Sequence, residues 1–179
     1  AVDTYSASNQ SDTWSFTTWS GQGIIYIDPA LVEKTQSDVG STFDVRVSVQ
    51  NMVDLFGFDF NVTWDKTLIT LVGLEFSNEL DAIWGAGNYV MVMNELAPGW
   101  YKLVATSTLT GFSGAQPLAK LTFRVEYSAI SKETAIRFET HKLSNSHYTP
   151  IVHTAANGTY RIEGVKPRLD MNPSTGMCR

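Results

Sequence analysis

Three histidines, His141, His147 and His153, have the side chains best suited to chemistry in this chain, because imidazole can ligate a metal or move a proton near neutral pH. No H-x-H or H-E-x-x-H spacing joins them, and the single cysteine, Cys178, has no thiol partner, so no zinc centre is expected. They read as strand and loop histidines on a polar face. A serine nucleophile would need a Gly-x-Ser-x-Gly elbow; Gly111-Phe-Ser-Gly114 lacks that spacing and reads as a loop. Gly21-Gln-Gly23 and Gly85-Ala-Gly87 open no helix that would offer its N–H groups to a phosphate. Asp59 and Asp65 lie on the polar phase of one strand, whereas a hydrolase needs a carboxyl of raised pKa in a cleft. Asp28, Asp38, Asn51, Asp54, Asn78 and Asp81 supply oxygen ligands in loops, which leaves calcium open, though without EF-hand-like spacing. The expectation is a non-catalytic protein with no catalytic residue, no resident metal and no cofactor. Recognition is the other chemistry on offer. Trp84, Trp100 and Tyr101 sit at or near loops, where they would either form a sugar-binding platform or cap the ends of the core.

The elements that must position these residues are strands. Phe43, Val45, Val47 and Val49 alternate with polar residues, and so do Phe56, Phe58, Phe60, Val62 and Trp64. Leu121, Phe123, Val125 and Tyr127 repeat the pattern, as do Ile136 with Phe138 and Tyr160 with Ile162. Each run turns one apolar face to a core and one polar face to water. Further strands are expected over residues 24–27, 68–76, 89–93, 100–107 and 150–153, separated by turn signals such as Asp28-Pro29, Ala97-Pro98-Gly99, Gly111–Gly114 and Asn157-Gly158. Only residues 77–84 suit a short helix. The fold class is therefore all-β, a two-sheet antiparallel sandwich or jelly roll of about nine or ten strands.

Several of these runs resemble one family. Gly23-Ile-Ile-Tyr-Ile-Asp-Pro29 is followed by Val39-Gly-Ser-Thr-Phe-Asp-Val-Arg-Val-Ser-Val49 and by Leu55-Phe-Gly-Phe-Asp-Phe-Asn-Val-Thr-Trp-Asp65, with Leu68–Val72 next. Together they are similar to the opening strands of a cohesin domain. Pro117-Leu-Ala-Lys-Leu-Thr-Phe-Arg-Val125 resembles a later strand of that family, and Tyr148-Thr-Pro-Ile-Val-His153 with Asn157-Gly-Thr-Tyr160 resembles its closing pair. The resemblance runs from about residue 23 to 164 and is closest to cohesin-like modules of archaeal and bacterial surface proteins. It implies a non-catalytic sandwich, related in architecture to carbohydrate-binding modules, whose best-known members bind dockerin domains through one sheet face. The partner implied is thus a dockerin-type protein or a polysaccharide.

The domain organisation follows: an extension over residues 1–22, a sandwich over 23–164 and a tail over 165–179. The extension holds nine Ser/Thr, two Asp and no Lys or Arg, yet also Trp14, Phe16 and Trp19. Trp14 and Phe16 fall on one face of an extended strand and Trp19 on the other, the pattern of a segment seeking a sheet edge. It folds back on its own domain or completes a neighbour's sheet. The extension carries a charge of −2 and the tail +2, which favours a head-to-tail contact; repeated without ring closure, such a contact builds a filament of identical subunits. A cell-surface filament joined by strand exchange is the functional expectation, and a dockerin- or carbohydrate-binding module is the alternative.

Composition narrows the remaining classes. With 13 Lys+Arg against 18 Asp+Glu the net charge is −5, which argues against a nucleic-acid binder that neutralises phosphates. No apolar run is long enough for a membrane-spanning helix. The start at Ala1 is read as the product of signal-peptide removal, hence an extracellular, secreted location. Asn9, Asn61 and Asn157 head three N-x-Ser/Thr sites and are the glycosylation candidates. Cys178 reads as an inert tail residue or a site of intermolecular pairing.

Overall fold

The computed structural model describes residues 22–165. Trp14, Phe16, Trp19, Asn9 and Cys178 lie outside the described residues. Among the described residues ten strands form: β1 (Gly23–Asp28), β2 (Leu31–Lys34), β3 (Thr42–Thr63), β4 (Ile69–Glu75), β5 (Tyr89–Ala97), β6 (Trp100–Ser107), β7 (Phe112–Val125), β8 (Lys132–Asn145), β9 (His153–Ala156) and β10 (Gly158–Ile162), with one α-helix, α1 (Ser77–Trp84), between β4 and β5.

The two alternating runs at 43–49 and 56–64 are not separate strands. They are halves of the 22-residue β3, which bends between them and serves both layers of the sandwich. Its first half pairs with β1 and β7, and its second with β6 and β8. The bend lies at Asn51 and Asp54, whose φ values of 57° and 56° are left-handed, a conformation that Asn and Asp tolerate better than most residues. Register shifts on either side of Met52 add the bulges that turn the strand. The inward phase consequently moves from odd residues (Val45, Val47, Val49) to even ones (Phe58, Phe60, Val62). Asp54 then fastens the bend: its Oδ2 accepts hydrogen bonds from Ser146 Oγ at 2.6 Å and Ser146 N–H at 3.1 Å, which hold its carboxyl below the usual range. Gly111 fits against this turn because it has no side chain; a Cβ there would meet Asp54 Oδ1.

One layer runs β9–β1–β3–β7–β4 and the other β5–β6–β3–β8. Most ladders are antiparallel, but β1 with β9 and β2 with β10 are parallel. These partners come from opposite ends of the chain, so no hairpin dictates their direction. β10 also pairs with the first residues of β8 and carries β2 on its other side, so these two strands extend the layer beyond β8. Gly111–Gly114, expected as a loop, mostly enters β7, which begins at Phe112, and residues 150–153 give way to a strand that starts at His153. Pro150 makes an isolated bridge to Ser144.

The core lies between the layers. Val45, Val47, Phe58, Phe60, Leu121 and Phe123 are buried and Phe138 is partly so. Trp64 meets Phe123 edge-on at 4.9 Å, Phe60 meets Phe138 edge-on at 5.8 Å, and Phe43 stacks on Tyr160 at 5.3 Å. Such aromatic contacts add to the area term that drives collapse.

Candidate functional site

The outer face of the β5–β6–β3–β8 sheet is assembled by register. Residues directly opposite in adjacent strands share a face, so each row across the sheet can be read from its pairs. The first row is Val90, Thr106, Gly57 and Ser144; the second is Val92, Val104, Asp59 and Lys142; the third is Asn94, Lys102, Asn61 and Thr140. Trp100, opposite Thr63, begins the fourth. Val90 and Val92 are 60% and 57% exposed, and Val104 stands beside Val92, so an apolar strip runs along one side of the face. Next to it Lys102 pairs with Asp59 at 3.1 Å.

Gly57 makes a hollow in the middle of the first row. A Cβ at this position would stand 3.1 Å from Ser144 Oγ and 3.3 Å from Thr106 Oγ1, so a side chain would crowd the rows on either side. A groove of about 460 Å³ takes in Gly57 with Asp59, Val104, Thr106, Lys142 and Ser144, and reaches past Tyr148 and Pro150 to Ile151, His141 and His153. An apolar strip, a hollow and a central ion pair together suit the docking of a protein surface: the strip supplies desolvation and the charges fix orientation.

The residues singled out from sequence are placed differently from one another. Trp84 is 5% exposed, lies 5.9 Å from Phe58 in a stacked arrangement, and donates its indole N–H to the Leu55 carbonyl at 3.1 Å. It belongs to the core and cannot form a sugar platform, because the last turn of α1 directs it inward. Tyr101 also turns inward: it stacks on Trp64 at 5.8 Å and donates its hydroxyl to Glu95 at 3.1 Å. Trp100, 40% exposed, keeps the outer face alone. The three aromatics therefore do not come together as one platform. Asn61 lies on the central strand with a buried Oδ1, whereas Asn157 is exposed between β9 and β10, where its Oδ1 accepts from Phe138 N–H at 3.0 Å.

Among the loop acids, Asp38 accepts from Thr35 and Asp81 from the Tyr89 hydroxyl, and among the described residues no three His, Cys, Asp or Glu converge on a metal position. His141 is not on a polar face. Opposite Phe60, it points into the sandwich and meets His153, with 2.9 Å between His141 Nδ1 and His153 Nε2. His153 Nδ1 donates to the Ile151 carbonyl at 2.7 Å, so its Nε2 accepts from His141 in the neutral pair. Burial and the adjacent His153 ring push the His141 pKa down.

A comparison with protein-family models matches the Cohesin domain over residues 30–162. The chain belongs to the cohesin domain family. Solved cohesins share its fold. A non-cellulosomal cohesin from the archaeon Archaeoglobus fulgidus superposes with a TM-score of 0.64 at 15% identity, covering 83% of this chain and 94% of that one. The cohesin CaCohA2 of Clostridium acetobutylicum gives 0.66 at 20% identity, covering 82% and 94%. The sixth cohesin of scaffoldin B from Acetivibrio cellulolyticus, solved with a dockerin, gives 0.63 at 19% identity, covering 81% and 100%. No curated protein matches the chain at a significant level. The cohesin family is one of non-catalytic binding modules.

Sequence reasoning missed Gly57, Val90, Val92, Lys102 and Lys142. The available signal was Tyr89-Val-Met-Val-Met93, a strand that is apolar at every position instead of at alternate ones.

Proposed function

We propose that this cohesin is an extracellular docking module that binds a dockerin-type protein on the outer face of the β5–β6–β3–β8 sheet. The strip of exposed Val90 and Val92 with half-buried Val104, beside the Gly57 hollow, is the observation that carries the reading. Cohesins of this fold have been solved with dockerins from Acetivibrio cellulolyticus and Clostridium thermocellum, which supports this class of partner. Isothermal titration against a panel of dockerin modules, with affinity electrophoresis in soluble polysaccharides alongside, tests it. Fully burying a valine contributes about 1.5–3 kcal/mol, and more than half of each side chain is available. The Val90→Lys/Val92→Lys pair should therefore lose about 2–3 kcal/mol, or roughly 30- to 150-fold in affinity. Val72→Lys, on exposed β4 of the other layer, should change nothing. Retention on polysaccharide that depends on Trp100, with no dockerin bound, would replace this reading with carbohydrate binding.

A second reading is favoured by the aromatic alternation of residues 12–20: subunits of a cell-surface filament joined head-to-tail by strand exchange. Electron microscopy of the intact chain and of a variant lacking residues 1–20 tests it. Filaments that vanish with the deletion support exchange, and filaments that persist refute it.

A further inference from the structure

We infer that the free edge of β5 is the acceptor for residues 13–19 of a second copy. The inference rests on the strand-exchange reading above and specifies its receiving site. Among the described residues β5 (Tyr89–Ala97) pairs only with β6, so within that set its other edge presents main-chain groups without a strand partner. Among the described residues the other strands that pair on one side only are protected. β2 and β9 have four residues each. β4 is interrupted by a register shift between Leu71 and Gly73, and its Glu75 is tied to Lys120 at 2.9 Å. Short length, bulges and charge are the usual guards of a sheet edge. β5 has none of them over Tyr89–Asn94, which carries no charge and pairs with β6 in unbroken register.

Both faces of this edge are apolar and open. Val90 and Val92 are outward, while Met91 and Met93 face the interlayer side yet remain 36% and 44% exposed. A strand added here would cover both methionines at a spacing of two residues, the spacing of Trp14 and Phe16. Thioether against an aromatic ring is a favourable contact, and methionine adapts to the shape it meets. Residues 13–19 contain no charge, so no ionised group would be desolvated against an uncharged edge. The segment has alternation on one face and Trp19 on the other, matching an acceptor that is apolar on both.

The test uses the full chain. Sedimentation of the intact protein, of Met93→Lys and of a variant lacking residues 1–20 measures assembly, and circular dichroism of each measures folding. Large assemblies of the intact 19.8 kDa chain that give way to single chains in both variants, with both still folded, are the expected result. Loss on deletion but not in Met93→Lys leaves exchange standing and overturns β5 as acceptor. Loss in Met93→Lys but not on deletion shows that β5 pairs with something else, such as β5 of a second copy, and overturns both. A protein that never assembles does the same. Cysteine pairs give a readout independent of assembly size: Phe16→Cys combined with Met91→Cys or Met93→Cys, in a Cys178→Ser background. Disulfide-linked ladders between chains are expected; links confined within one chain would mean that the segment covers its own β5 and would refute the inference.

Discussion

Replacing Trp84 separates its packing role from a ligand-binding one. The indole ends α1, is almost wholly buried against Phe58, and donates to the Leu55 carbonyl near the bend of β3. Trp84→Phe keeps most of the ring but leaves that carbonyl without its partner, at about 1–3 kcal/mol for a buried acceptor. Trp84→Ala also removes the packing; large-to-small changes at buried aromatics cost about 3–5 kcal/mol. A small domain has about 5–15 kcal/mol in total, so the alanine variant should be near the edge of folding at ordinary temperature. With a urea dependence of about 2 kcal/mol per molar, Trp84→Phe should lower the unfolding midpoint by about 0.5–1.5 M. Circular dichroism across a urea series measures this, with Trp100→Ala as the comparison, expected to move by about 0.5 kcal/mol because Trp100 lies at the surface. A Trp84→Phe midpoint indistinguishable from the parent would refute the docked helix and the indole hydrogen bond. It would also return Trp84 to the set of residues free to hold a ligand.

Three further outcomes are expected. Phe60→Ala and Phe123→Ala, both fully buried, should each cost about 3–5 kcal/mol in the same urea assay, and a negligible cost at either would contradict the two-layer packing. His141 has its pKa depressed in the folded protein, so the unfolded chain binds more protons between that depressed value and the ordinary 6.5. Stability should rise with pH across this window and fall as pH drops below about 6.5, and the slope should vanish in His141→Gln; equal slopes in the two proteins would refute the assignment. In a host that attaches N-linked glycans, glycopeptide mass spectrometry should find Asn157 occupied and Asn61 bare, since Asn61 sits in the central strand of the docking face. A glycan on Asn61 would count against a partner binding there.

Much of the fold is legible in the sequence because a strand with one buried face records that face at every second residue. The runs in β3, β7 and β10, and the helix at 77–84, follow from local pattern alone. So does the change of phase from Val49 to Phe56, although the sequence does not reveal that one strand crosses between two layers there. The parallel pairing of β1 with β9 was not legible. It joins residues more than a hundred positions apart, and neither strand carries a mark of the other's direction.

The sequence by itself determined an all-β, weakly charged chain of cohesin type without catalytic spacing, since composition and period-two alternation are properties of the residues in order. Which side chains share a surface was decided by the tertiary structure. Val92, Val104, Asp59 and Lys142 come from four strands and become one row only through register. A shift of one residue would have turned a different set outward. The same holds for Trp84, Trp100 and Tyr101, near one another in sequence and alike in chemistry. The end of a helix buried the first, and the alternation of β6 turned the other two to opposite faces. His141 and His153 met for the same reason: β8 and β9 bring their rings within hydrogen-bond distance, and burial there lowers the His141 pKa, which the polar pattern of the sequence does not record.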